Sequence, residues 1–167
     1  MSDKSSKLAE AVLDTCRQKQ IMLATAESCT GGLVAAALTA IAGSSDVIER
    51  GFVTYSNEAK SEMLGVHAAL VSAHGAVSQE VAEAMARGAL AHSRAGIAVS
   101  ITGIAGPGGG STDKPVGLVH FACALAGQQT LHLKRLYGPL SRDDIRTAAV
   151  CDALQLVLDM LAGSQPA

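Results

Sequence analysis

Three side chains able to act as nucleophiles stand in succession in "TAESCTGGLVAAAL", residues 25–38, where Ser28, Cys29 and Thr30 precede Gly31 and Gly32. A short apolar run comes before them and an alanine-rich run after, so the pattern reads as a strand delivering a hydroxyl to the start of a helix. Free backbone N–H groups at such a start could stabilise an oxyanion. The two glycines remove side chains that would obstruct a substrate. The arrangement differs from the GxSxG elbow of the α/β-hydrolases. Ser28 or Thr30 could instead cap the helix, since both residue types are favoured caps. Cys29 could be a small core residue or the nucleophile itself, although no partner that would lower its pKa is evident.

A hydroxyl nucleophile needs a base. The five histidines, His67, His74, His92, His120 and His132, join no acidic residue in a triad arrangement. Lys60 remains, following "VTYSNEA" at the end of a second strand-like segment. Burial in an alanine-rich pocket would lower its pKa towards neutrality and let it act as a general base. The competing reading is a solvated lysine on a helix surface.

Two further features could bind a substrate. "TGIAGPGGGSTDKP", starting at Thr102, carries five glycines, Gly103 and Gly106 among them, and such a loop leaves backbone N–H groups open to an anion. It is neither a Walker loop nor a dinucleotide fingerprint, because no GKS or GKT follows and a strand comes next. Arg142 and Arg146 fall in the first turns of a final helix, where the helix dipole disfavours cations and an anionic partner is invited.

The elements that must position these residues follow from periodicity. Leu8, Val12 and Cys16 recur at helical spacing over 5–19. "IMLATA" (21–26) reads as a buried strand, residues 32–41 as a helix and "DVIERGFVTYS" (46–56) as a second strand, with "NEAKSEML" a short helix after it. Ser78 caps a predicted helix through 91 with Val81, Ala82, Met85 and Ala89 on its apolar face. A strand over 95–102 leads into the glycine loop, and "VGLVHFACAL" and "QTLHLKRLY" form a predicted antiparallel hairpin. The last helix, 141–162, has Ser141 and Asp144 at capping-box spacing and Ile145, Ala149, Ala153, Leu156 and Met160 as its stripe. The order predicts one α/β domain over 1–167, with its core in about 5–162: a three-layer sandwich whose mixed parallel and antiparallel sheet is flanked by helices. Three polar segments, 27–32, 55–60 and 102–112, then lie just beyond strand ends, where open α/β sheets gather ligands.

Composition narrows the function. The chain has 167 residues, 49% of them apolar, which suffices for one core but not for a separate substrate domain. A net charge of −2 gives no general attraction to nucleic acid or anionic membrane. Four cysteines without a CxxC pair indicate neither zinc nor a disulfide framework, and the absence of an apolar leader or span predicts a reduced, cytoplasmic setting. With 2% aromatic residues, the core must be built from Ala, Val, Leu and Ile packed closely. The alanine-rich helix faces could bury a homodimer contact or equally be core. The tail "GSQPA" reads as frayed.

Five ordered blocks, "TAESCTGG", "ERGFVTYSNEAK", "HGAVS", "SITGIAGPGGG" and "KPVGLVHFA", resemble the C-terminal domain of the CinA family over roughly 5–162. The resemblance implies an α/β sandwich that hydrolyses the carboxamide of nicotinamide mononucleotide (NMN) to nicotinic acid mononucleotide and ammonia, in pyridine nucleotide salvage, without metal or cofactor. It implies Ser28 as nucleophile and Lys60 as its base. Tyr55 and Thr102 would orient the pair or relay a proton, and Arg142 would contact the nucleotide through its phosphate. Thr30, Gly31, Gly32, Gly103 and Gly106 would line the substrate. At Gly108 many members carry Asp, which leaves as the alternative a nucleotide-binding regulatory module without turnover. The N-terminal domain of longer CinA proteins is not in this sequence, so the pyrophosphatase activity associated with it is not expected.

Overall fold

The computed structural model describes residues 3–164 and 166. Of the frayed-tail expectation, positions 165 and 167 lie outside the described residues. In chain order the elements are α1 (Asp3–Lys19), β1 (Leu23–Glu27), α2 (Leu33–Thr39), a 3-10 turn at Ser44–Asp46, β2 (Ile48–Val53), α3 (Asn57–Leu64), α4 (Ala68–His74), α5 (Gln79–Ala91), β3 (Ile97–Gly103), β4 (Leu118–Leu125), β5 (Leu131–Leu136) and α6 (Arg142–Ala162).

The strands form one sheet in the order β2-β1-β3-β4-β5. β1 pairs in parallel with both β2 and β3, and β3–β4 and β4–β5 are antiparallel. The expected mixed sheet with helices on both faces is therefore present. Its register matters for the site. Glu27 pairs with Val53 on one side and Ile101 on the other, so β1 and β2 end level and β3 runs two residues further along the same edge. β5 runs in the same sense as β3, and the chain that leaves it towards α6 reaches that edge as well.

Alternation along the strands sorts the two layers. Ile97, Val99 and Ile101 of β3 face the layer of α1, α2 and α6, with Phe121 of β4 and Ile145 and Leu156 of α6. Ala98 of β3 and Ala24 and Ala26 of β1 face α5 through Val81, Met85 and Ala89. Burial of a Leu or Ile of this kind stabilises the fold by about 1.5–3 kcal/mol each. The alanines of α5, Ala82 and Ala86, meet Ala122 and Ala124 of β4. These alanine faces of α5 and β4 are core, while Ala36 and Ala40 at the α2 end are exposed. Among the described residues, no helix is long and apolar enough to cross a membrane.

Several boundaries differ from expectation. β1 begins at Leu23 and not at Ile21, because α1 ends at Lys19, Gln20 follows it at φ 53° and the chain needs the next two residues to turn back to the sheet. β2 begins at Ile48, since Ser44–Asp46 is a 3-10 turn that continues the loop. α4 has no counterpart in the sequence reading. It is 7 residues long, with no side-chain cap at His67.

Close approach of two helices places Lys60. A Cβ added at Gly88 of α5 would lie 2.1 Å from the Leu64 carbonyl oxygen of α3. Only glycine lets α3 press against α5 at that point, and Lys60, one turn before Leu64, is driven under the surface with 1% exposure.

Candidate active site

β1 ends in Glu27, and the next residue, Ser28, is held by its own backbone: its N–H donates to the Ile101 carbonyl at 2.9 Å and its carbonyl accepts from Gly31 N–H at 3.0 Å. The turn then passes through Gly31 and Gly32 at φ 62° and 102°, left-handed conformations that a side chain would strain. Lys60 arrives from the other side of the sheet on α3, whose N-cap Ser56 accepts from Ala59 N–H. Its Nζ stands 3.1 Å from Ser28 Oγ, 3.0 Å from the Thr54 carbonyl and 3.5 Å from the Ser56 carbonyl.

As an ammonium, Lys60 donates to all three oxygens. A neutral lysine has two N–H donors for the two carbonyls and one lone pair to receive the Ser28 O–H. Burial lowers the Lys60 pKa from the ordinary lysine value, while the more distant Cys29 and Glu58 oppose the shift only in part. The solvated-surface reading of Lys60 does not describe this environment.

Cys29 lines the same cleft, yet its thiol is pushed up to about 12, first by burial and further by the Glu27 charge. A thiol held that high carries little thiolate near neutrality, which removes the chemical basis for Cys29 as nucleophile.

The capping of α2 departs from the sequence reading. Neither Ser28 nor Thr30 caps it; the N-cap is Gly32, without a side-chain cap. The Glu27 carboxylate does this work from the end of β1, accepting from Gly32, Val34 and Ala35 N–H at 3.1, 3.0 and 2.9 Å. Glu27 is fully buried. The helix-start amides expected to hold an oxyanion are therefore occupied by this carboxylate. An acid five residues ahead of a helix's N-cap, across a Gly-Gly turn, matches no short capping pattern, and the sequence reading missed it.

The remaining expected residues gather unevenly. Tyr55 is 60% exposed at the cleft mouth, and its hydroxyl accepts from Arg142 Nη2 at 2.9 Å. Arg142 Nη1 donates to the Gly106 carbonyl at 2.7 Å, so the guanidinium spans from the β2 end to the glycine loop. The Thr102 hydroxyl turns away and donates to the Ala76 carbonyl at 2.8 Å, within the wall. Thr30 is fully buried, its carbonyl accepts from Arg146 Nη2 at 3.1 Å, and its Oγ1 has no partner. Gly103 could not carry a side chain, since a Cβ would lie 2.7 Å from Val119. At Gly108 a Cβ would meet nothing within 4 Å, so the room that a larger residue would take is open.

Together Ser28, Cys29, Tyr55, Gly106, Gly108 and Arg142 line a cleft of about 240 Å³. A larger hollow of about 440 Å³, between Gln79, Thr130, His132 and Gly163, lies at the β5 border.

The family described as CinA C-terminal domain matches residues 5–161. The chain is 50% identical, over 89% of its length and 90% of the relative's, to nicotinamide-nucleotide amidohydrolase PncC of Escherichia coli K12. It is 54% identical over 84% of its length to a CinA-like protein of Mycolicibacterium vanbaalenii, of which it spans about a third. Among solved structures, the competence/damage inducible protein CihA of Agrobacterium tumefaciens superposes with a TM-score of 0.94 at 50% identity, covering 97% of this chain and 98% of that one.

Proposed function

The chain belongs to the CinA C-terminal domain family, and from that premise we propose that it hydrolyses the carboxamide of NMN to nicotinic acid mononucleotide and ammonia, in pyridine nucleotide salvage. The observation that carries the reading is a buried lysine whose Nζ lies 3.1 Å from the hydroxyl of Ser28 at a strand end. The relative named for this activity matches over nearly its whole length.

Neutral Lys60 takes the proton from Ser28 as Oγ adds to the amide carbon, whose electrophilicity the pyridinium ring increases. Collapse of the tetrahedral intermediate expels ammonia, which receives that proton from Lys60. Water then attacks the acyl-enzyme with Lys60 again as base. Arg142 offers its remaining guanidinium donors to the nucleotide, with the phosphate as the natural partner for a planar cation at the cleft mouth. Tyr55 holds Arg142 and belongs to the substrate rim. Thr102 acts through the wall it ties to Ala76.

The test is to incubate the purified protein with NMN and identify the product by mass. Conversion of the amide to the acid, which adds about one mass unit, with one ammonia per turnover supports the reading. Tight NMN binding without conversion would favour the regulatory-module alternative.

A further inference from the structure

The glycine loop supplies more of the cleft than any other segment: Gly103, Ile104, Ala105, Gly106, Gly108 and Gly109 line it beside Ser28. Its base is packed tightly, since Cβ atoms added at Gly103 and Gly106 would lie 2.7 Å from Val119 and 2.6 Å from Val116. Its outer part is not. Residues 107–113 are all exposed, and a Cβ at Gly108 would meet nothing within 4 Å. From Ala105 to Lys114, among the described residues, hydrogen bonds reach the rest of the domain at two places. One is the Gly106 carbonyl, which accepts from Arg142. The other is Lys114.

Lys114 closes a tight turn in the outer part of the loop, its N–H donating to Ser111 Oγ at 3.1 Å and its carbonyl accepting from Ser111 N–H at 2.8 Å. From there its side chain crosses to the segment that joins α4 to α5, where Nζ donates to the His74 carbonyl and, at 2.9 Å, to the Val77 carbonyl. It passes over Gly75, where a Cβ would come within 2.6 Å of Nζ. The two carbonyls in between also accept from side chains, Gly75 from Ser78 Oγ and Ala76 from Thr102 Oγ1, each at 2.8 Å. Every carbonyl of "HGAV", residues 74–77, is therefore bound by a side chain. Two of those side chains flank the glycine loop: Thr102 stands just before Gly103, and Lys114 follows the exposed stretch.

We infer that Lys114 is a positioning residue for nucleotide binding. With Thr102 it fastens both ends of the glycine loop to the 74–77 turn and so holds the exposed stretch in the arrangement that receives NMN. The inference rests on the amidase reading above. In that reading Arg142 faces the substrate phosphate, so Lys114 is the tie that the substrate does not touch. Without it the loop samples other arrangements before binding, and apparent affinity falls with the fraction of molecules that remain competent. Ser28 and Lys60 stand on other elements and keep their geometry.

The test compares the parent with Lys114→Met, which keeps the stem and removes the donor, and with Lys114→Arg, whose fork can still donate to two carbonyls. In Lys114→Met, KM for NMN should rise roughly tenfold with kcat within about threefold of the parent, the pattern of lost binding and not of a lost transition-state contact. Lys114→Arg should recover most of that loss. A small fluorophosphonate, which needs only Ser28 and its base, should label Ser28 in Lys114→Met within about twofold of the parent rate, read by intact mass. General damage to the site would slow this labelling as well.

The same comparison by calorimetry on the Ser28→Ala protein needs no turnover, and there the NMN Kd should rise in step with KM. If Lys114→Met does not fold by circular dichroism, the shorter Lys114→Gln carries the test. Folded variants with KM and Kd within about twofold of the parent overturn the inference. So does a fall in kcat alone, or a loss of Ser28 labelling that accompanies the rise in KM. A parent that binds NMN and releases no ammonia would sink the amidase reading, and the Kd ratio would still decide this inference. A parent that neither converts nor binds NMN overturns both.

Discussion

Lys60 Nζ lies 3.1 Å from Ser28 Oγ although 32 positions separate the two residues. The sheet order brings them together. The chain leaves β1 for the α2 layer and leaves β2 for the α3 layer, so the ends of two neighbouring strands open a crevice between them. Ser28 enters that crevice from one strand and Lys60 from the helix after the other.

Burial of Lys60 carries a cost that should be measurable. Its folded pKa lies below the ordinary 10.5, so between those two values the unfolded chain binds a proton that the folded chain does not. Stability should rise with pH in that window and be flat, with respect to this group, below the folded pKa. Lys60→Met, similar in length and apolar, is expected to be inactive yet more stable by about 1 kcal/mol, with the slope gone. Thermal unfolding from pH 7 to 10 checks this; an unchanged slope would count against it. Activity of the parent should rise as the pH passes the folded pKa, where the neutral base accumulates, and level off above it.

Cys29 sits beside the nucleophile with a thiol pushed up to about 12. Iodoacetamide at neutral pH should therefore leave turnover intact and add no mass to Cys29. Inactivation in step with alkylation there would return the thiol to the mechanism.

Gly88 decides whether α3 can bury Lys60. Alanine at that helical position would ordinarily stabilise by about 1 kcal/mol. Here the added Cβ falls 2.1 Å from a backbone carbonyl, which cannot rotate away. Overpacking of about 1–3 kcal/mol should win. Gly88→Ala is expected to lower the melting temperature and, by shifting α3, to depress activity well below the parent even where it remains folded.

Buried His120 and half-buried His132 form a second pair, Nδ1 to Nε2 at 2.9 Å, away from the dyad on β4 and β5. Burial first, and then the His132 charge, lower His120 to about 4 from the ordinary 6.5. Both states are neutral above 6.5, and between 6.5 and about 4 only the unfolded chain gains the proton. Stability should fall across that acid window, by an amount on the order of 3 kcal/mol. His120→Gln should flatten the dependence in denaturant titrations at pH 4, 5, 6 and 7.

Much of this was legible in the sequence because periodicity reports burial. The stripe Ile145, Ala149, Ala153, Leu156, Met160 and the α5 face Val81, Ala82, Met85, Ala89 are all interior. Ser141 does cap α6, its Oγ accepting from Asp144 N–H at 3.2 Å and donating to the Asp144 carboxylate at 2.6 Å. The positions of Ser28 and Lys60 after strand-like segments pointed to one edge, since a parallel arrangement puts strand ends together. Side-chain direction was not legible. Nothing in "VTYS" tells that Tyr55 faces outward to Arg142, or in "SIT" that the Thr102 hydroxyl serves Ala76. Glu27 was hidden because its three partners are main-chain groups beyond a turn whose shape depends on two left-handed glycines. α4 was hidden because its 7 residues show neither cap nor stripe.

The most direct measurement is ammonia release from NMN by the parent, Ser28→Ala and Lys60→Ala, each confirmed folded by circular dichroism. Loss of the nucleophile or of its base should reduce turnover by at least 10²- to 10⁴-fold. A folded Ser28→Ala variant that still released ammonia at the parent's rate would contradict the account.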